Sequence, residues 1–175
     1  MMFGDEADPN EHPWMVGIIH DANRRDPTQS YAPFLDGTII CGGALISPNC
    51  VLTAGHCVPD HRMKYFNITR VVLGEHDVTR HNLFRQIIPI KTAIRYPGRS
   101  IKDMPLYVSI PDVGILILEK NASINERVNT IKLPGDDEDC SADKAFENRM
   151  SFGGWGAYDR GKNIRNISIH DIVLF

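Results

Sequence analysis

The apolar residues of this chain are grouped into eight short segments, and this spacing limits its possible folds more than any other feature. Several segments are rich in Ile, Val and Leu, as buried or half-buried strands are, and no helical period dominates. Turn formers separate them, as at Asp36-Gly37 and Pro134-Gly135. Many short strands with little helix predict an all-β sandwich or barrel. The segments cover residues 14–19, 38–46, 51–54, 68–73, 87–94, 113–118, 149–155 and 164–174.

The length and composition are those of one ordinary globular domain. The chain has 175 residues, of which 42% are hydrophobic and 23% charged, and these values exclude a collagen-like, coiled-coil or disordered protein. Nineteen Lys and Arg residues against 22 Asp and Glu residues give a net charge of −3. This balance argues against nucleic acid or an anionic membrane as a partner. No apolar run is long enough for a transmembrane helix.

The cysteines and the glycosylation sequons together indicate a secreted protein with disulfides. The four cysteines form neither a Cys-x-x-Cys motif nor a zinc pattern, and the seven histidines supply no metal-ligand set, so neither a metal nor a cofactor is predicted. No signal-peptide pattern follows Met1, which suggests that the chain is not a complete precursor. The cysteines are Cys41, Cys50, Cys57 and Cys140, and the Asn-x-Ser/Thr sequons begin at Asn67, Asn121 and Asn166.

His56 and Asp112 are the candidates for chemistry. A strand that ends in Thr53-Ala54-Gly55 would place His56 at a rim, with small neighbours that leave room for a partner. Asp112 precedes the apolar segment 113–118, and a carboxylate there could hold an imidazole in one tautomer. Taken alone, the histidine could be structural and the aspartate a turn residue. Cys41 and Cys57 could brace the histidine loop.

Several motifs, in order along the chain, resemble the chymotrypsin/trypsin family of serine proteases. The resemblance implies a chymotrypsin-like double β-barrel, with the first barrel complete and the second only partly present. Residues 1–134 would form the first barrel, 135–148 a linker and 149–175 the start of the second. The motifs are Pro13-Trp14-Met15-Val16, Cys41-Gly42-Gly43-Ala44-Leu45-Ile46, Leu52-Thr53-Ala54-Gly55-His56-Cys57, Leu73-Gly74-Glu75-His76, the stretch from Asp112 to Leu118, and Gly154-Trp155-Gly156.

The resemblance also implies roles for single residues. His56 would be the general base and acid of a secreted serine endopeptidase that acts on proteins or peptides, and Asp112 would orient it. Cys41 and Cys57 would form the family disulfide beside the histidine. Glu75-His76-Asp77 resembles the start of a calcium loop without an evident second acidic ligand, so calcium and a solvated loop both stay open. The pairing of Cys50 and Cys140 is open, as is the oligomeric state.

The chain departs from its family at the nucleophile and at the amino end. No Gly-Asp-Ser-Gly-Gly segment occurs in the 175 residues, and neither Ser109 nor Ser151 has the glycine-rich surround that would replace it. The oxyanion hole and most of the specificity pocket are missing as well, so these residues alone are expected to be inactive. Met1 and Met2 lie where the family has Ile-Val, which a start codon placed inside the domain would explain.

The alternative function is a non-catalytic protease homologue that binds a protein partner through loops such as 21–36. The transcript beyond the codon for Phe175 distinguishes the two interpretations. A Gly-Asp-Ser-Gly-Gly segment there supports the protease, and a verified stop codon with a stable secreted product supports the binding module.

Overall fold

The computed structural model of the protein describes residues 5–20, 37–58, 68–96, 111–135, 150–155 and 168–172. These residues form nine strands and a single short 3₁₀ helix, which confirms the all-β prediction. The strands are β1 (Asp5–Glu6), β2 (Met15–His20), β3 (Thr38–Ser47), β4 (Cys50–Thr53), β5 (Ile68–Leu73), β6 (Gln86–Arg95), β7 (Gly114–Leu118), β8 (Met150–Gly154) and β9 (Ser168–Ile172), and the 3₁₀ helix is Gly55–Cys57.

Six strands close into an antiparallel barrel in the order β2-β3-β4-β7-β6-β5, and β5 pairs back with β2. Closure leaves this barrel without an edge strand. Side chains alternate between the interior and the outside, as on β7, where Leu116 and Leu118 are buried and Ile115 and Ile117 are half-buried. The complete first barrel that the family resemblance implies is therefore confirmed. Its interior is filled by Val16, Ile18, Leu45, Val51, Val71, Leu73, Ile88, Leu116 and Leu118.

The remaining strands form a separate three-stranded sheet in the order β1-β9-β8, the part of the second barrel that is present. Asp5 and Glu6, which the predicted boundaries place with the first barrel, pair with Ile169 and Ser168 of β9. Trp155, which follows β8, packs against a barrel cluster that includes Ile19.

Among the described residues, no helix is long and apolar enough to cross a membrane.

Several predicted features lie outside the described residues. The features outside them are Asn67, Asn166, Cys140, Ser109, Met1 and Met2, the loop 21–36 and all of the predicted linker except Gly135.

Candidate active site

A tight turn at the end of β4 places His56 at the barrel rim. After Ala54, the N–H of Cys57 donates to the Ala54 carbonyl at 3.0 Å, which closes the 3₁₀ turn. Gly55 and Cys57 are buried in this turn, whereas the His56 side chain between them is 66% exposed. The Thr53 hydroxyl donates to the Gly42 carbonyl at 2.7 Å and ties the end of β4 to β3. The turn therefore holds the backbone of His56 in place while its imidazole faces outward.

A disulfide joins Cys41 to Cys57, as the family resemblance implies. It links β3 to the turn that carries His56, across 16 positions of sequence and a Cα–Cα distance of 6.1 Å. Closing a loop of this size stabilises the fold by about 3 kcal/mol in the chain-entropy model. The cross-link fixes the position of the histidine turn on the barrel.

Asp112 reaches His56 because strands β4 and β7 are neighbours. Thr53 at the end of β4 pairs with Gly114 at the start of β7, so the residues beyond both ends lie at the same end of the barrel. Asp112 Oδ2 is 2.6 Å from His56 Nδ1, and Asp112 Oδ1 accepts the His56 backbone N–H at 2.8 Å. Two contacts to one residue fix the carboxylate plane. In the neutral ring the proton then lies on Nδ1, which leaves Nε2 free to accept another.

Gly55 allows this close approach. A Cβ atom at this position would lie 2.9 Å from Asp112 Oδ1 and 3.0 Å from the Val113 carbonyl oxygen. A side chain would have to displace the carboxylate that His56 contacts. The sequence identified Gly55 only as a small neighbour of His56, because its contact with Asp112 joins distant parts of the chain.

The pKa of the Asp112 carboxyl is lowered from its ordinary value of 3.8. The side-chain hydrogen bond with His56 is the largest cause; partial desolvation opposes it, and the His56 backbone N–H and the positive charges of His56 and Arg95 add to it. Arg95 was not among the candidates from the sequence. It ends β6 opposite Gly114, which brings its charge near Asp112.

We expect the midpoint of Asp112 titration, followed through its carboxyl carbon by NMR, to lie below 3.8. Since the folded pKa lies below the ordinary value of 3.8, the pair stabilises the fold fully above that value, and this stabilisation is lost as the pH falls through the folded pKa. His56→Ala should raise the Asp112 midpoint, because it removes the largest cause of the lowered pKa. Equal Asp112 midpoints in both proteins would contradict the assigned cause.

An open cleft of about 770 Å³ extends from the His–Asp pair towards β8. Most of its walls are apolar, so a molecule bound beside His56 would contact hydrophobic side chains. The sequence did not predict this cleft, because its walls come from strands that are distant along the chain, namely β2, β3, β4 and the end of β8. Its apolar lining includes Trp14, Ile39, Ile40, Val113 and Trp155.

The stretch that resembles a calcium loop holds an internal ion pair. The Glu75 side chain is 1% exposed, and its Oε2 lies 3.3 Å from Nη1 of Arg85, which is 11% exposed. Its Oε1 accepts hydrogen bonds from the Asn82 amide and the His76 backbone N–H, both at 3.1 Å. A cation at Glu75 would therefore have to compete with a guanidinium already in contact with the carboxylate.

One further cluster places Cys41, His56 and Cys57 with potential ligand atoms within 4.8 Å of one another. Both sulfurs are in the disulfide, so neither is a thiolate that could bind a metal.

Cys50 on β4 has a free thiol whose pKa is raised by burial, which keeps it protonated. Asn121 is exposed.

The closed barrel, the partial second sheet and the His–Asp pair between their ends together define a chymotrypsin-like protein. The chain belongs to the trypsin family, whose family model, described as Trypsin, matches residues 1–172.

Curated relatives agree with this assignment. Trypsin-1 of Gadus morhua is 32% identical over 120 residues, which cover 69% of this chain and 42% of the relative. Granzyme F of Mus musculus is 31% identical over 133 residues, which cover 75% of this chain and 44% of the relative. Glandular kallikrein of Sus scrofa is 26% identical over 164 residues, which cover 90% of this chain and 55% of the relative. The chain spans about half the length of these relatives.

Solved structures share the fold. Human heparin binding protein superimposes with a TM-score of 0.69 at 23% identity, covering 97% of this chain and 64% of that one. A structure described as GrC gives a TM-score of 0.71 at 22% identity, and the match covers 97% of this chain and 63% of that one.

Proposed function

We propose that this chain is the histidine- and aspartate-bearing part of a secreted serine endopeptidase that acts on protein or peptide substrates. The 2.6 Å contact between His56 Nδ1 and Asp112 Oδ2 carries the proposal. The second contact, from the His56 backbone N–H to Asp112 Oδ1, supports the proposal because it holds the carboxylate in place beside the ring. Membership of the trypsin family supports the same reaction class.

In the proposed reaction, His56 Nε2 accepts the proton of a serine hydroxyl as that oxygen attacks the peptide carbonyl carbon. The imidazolium that forms carries its second proton on Nδ1, where Asp112 accepts it in a hydrogen bond and stabilises the charge. His56 then donates the Nε2 proton to the leaving amine, and the cycle repeats with water to release the acyl group. Asp112 remains ionised throughout.

The attacking serine and the oxyanion donors are the parts that these 175 residues do not supply. No Gly-Asp-Ser-Gly-Gly segment occurs among them. Losing the serine of a triad costs about 2 × 10⁶ in turnover in subtilisin, and residual activity there depends on an intact oxyanion hole. We therefore place the nucleophile in polypeptide outside this sequence.

A purified polypeptide limited to residues 1–175 should show no labelling by a fluorophosphonate probe, because it offers no activated serine. The product of the verified transcript, if it encodes Gly-Asp-Ser-Gly-Gly beyond Phe175, should be labelled. Changing that serine to alanine should abolish the signal. Gel fluorescence before and after heating measures the labelling.

Heat-sensitive labelling of the 1–175 polypeptide would contradict the placement of the nucleophile. A folded, secreted product whose verified transcript ends without that segment would contradict the protease itself and support a non-catalytic binding protein.

A further inference from the structure

The sequon Asn121-Ala122-Ser123 lies on a loop that is held in place on both sides. It follows β7, and the buried Ala122 donates its N–H to the Pro48 carbonyl at 2.7 Å. The Ser123 N–H donates to Gln86 Oε1 at 2.8 Å, and the Ser123 carbonyl accepts from Gln86 Nε2 at 2.7 Å. The backbone anchors the loop, and the Asn121 and Ser123 side chains are exposed.

The same loop borders an exposed apolar patch, formed by Leu83, Phe84 and Ile124, which are 80%, 62% and 47% exposed. The bonds between Gln86 and Ser123 join the two segments that carry the patch. The Arg127 guanidinium lies 4.6 Å from the centre of the Phe84 ring and connects them again. Adjacent large apolar side chains on a surface favour aggregation unless something covers them.

We infer that Asn121 carries an N-linked oligosaccharide and that this glycan covers the apolar patch. The donor is a lipid-pyrophosphate-linked oligosaccharide. Asn121 Nδ2 forms a bond to C1 of the first sugar, the bond from C1 to the pyrophosphate oxygen breaks, lipid pyrophosphate leaves, and Nδ2 loses one proton. Attached sugars are bulky, hydrated and confined to the surface of secreted proteins, which is what this exposed loop accommodates.

The glycan lies at the end of the barrel opposite the His–Asp pair. Asp112 precedes β7 and Asn121 follows it, so the five residues of the strand separate them by roughly 16 Å. Ala122 contacts Pro48, in the turn between β3 and β4, whereas His56 follows the other end of β4. An oligosaccharide at Asn121 therefore leaves the cleft open, and its presence is independent of whether the protein cleaves peptides.

The attachment is tested on the full-length protein secreted from insect cells. The denatured protein is treated with peptide-N-glycosidase in heavy-oxygen water and then digested with trypsin. The peptide that spans 121–127 should contain heavy-oxygen aspartate at position 121. Reading the modification on this peptide separates it from any glycan at Asn67 or Asn166.

Two variants at one position provide the matched control. Ser123→Ala removes the sequon and should abolish the label, whereas Ser123→Thr keeps the sequon and the label. Only the backbone of Ser123 makes the bonds to Gln86, so both variants retain the loop. An unmodified asparagine at position 121 in the secreted wild-type protein would overturn the inference.

Covering of the patch has its own measurement. Enzymatic removal of the glycan from the folded protein should increase the fluorescence of a bound apolar dye, and Leu83→Ser should reduce that increase. Unchanged fluorescence after complete removal would overturn the covering role while leaving the attachment intact.

Discussion

Replacing Asp112 with asparagine is expected to lower the kcat of the serine-containing protein about 10⁴-fold, with little change in KM. The two contacts of Asp112 give the reason. Oδ1 accepts the His56 backbone N–H at 2.8 Å, so the oxygen of the new amide must take this position. Its NH₂ group then faces Nδ1 and forces the ring proton onto Nε2. In that tautomer, His56 cannot accept the proton of the serine.

The matched control is Glu119→Gln, which makes the same carboxylate-to-amide change at an exposed position beyond the other end of β7. Its kcat should stay within about twofold of wild type, since exposed substitutions away from the site change little. Steady-state kinetics on a peptide substrate measure both variants. A kcat for Asp112→Asn within tenfold of wild type would remove Asp112 from the orienting role.

Arg85→Met should lower the free energy of unfolding by about 3–5 kcal/mol, the usual result of removing one partner of a buried ion pair. The Glu75 side chain is 1% exposed, so without Arg85 its charge would lie in the protein interior. Within the part of the chain that the structure describes, its remaining donors would be the Asn82 amide and the His76 N–H. Denaturant unfolding of the full-length protein measures the loss.

Two comparisons separate this effect from a general loss of packing. Arg80→Met removes an ion pair with Asp77 whose arginine is 84% exposed, and it should cost less than about 1 kcal/mol. The double variant Glu75→Gln with Arg85→Met should be more stable than Arg85→Met alone, because the uncompensated charge is gone. If the double variant loses the sum of the two single losses, Glu75 and Arg85 are not coupled.

Much of the fold follows from local sequence pattern. Each of the eight apolar segments overlaps one of the described strands, because runs of Ile, Val and Leu between turn formers have few other ways to bury their side chains. The pattern missed β1, because a strand of two acidic residues is too short to show a hydrophobic period. It forms because β9, more than 160 positions along the chain, lies beside it.

The candidate site is predictable in its parts and less so in its contacts. The motifs identified His56, Asp112 and the disulfide, since each lies in a recognisable stretch. The contributions of Gly55 and Arg95 depend on which strands become neighbours, which no local pattern contains.

The interpretation of the acidic stretch at Glu75 was limited for a related reason. A solvated loop would leave the Glu75 carboxylate exposed, and a calcium loop would place it against a bound cation. The burial of Glu75 against an arginine ten residues away arises only when the loop folds back on itself.

The disulfide and the paired strands β4 and β7 have a consequence for how such a protein could diversify. The imidazole, its acidic partner and the cross-link that braces them all come from a single closed barrel. Their alignment therefore depends on this barrel alone, so sequence changes outside the barrel can diversify the protein while the barrel keeps the pair aligned.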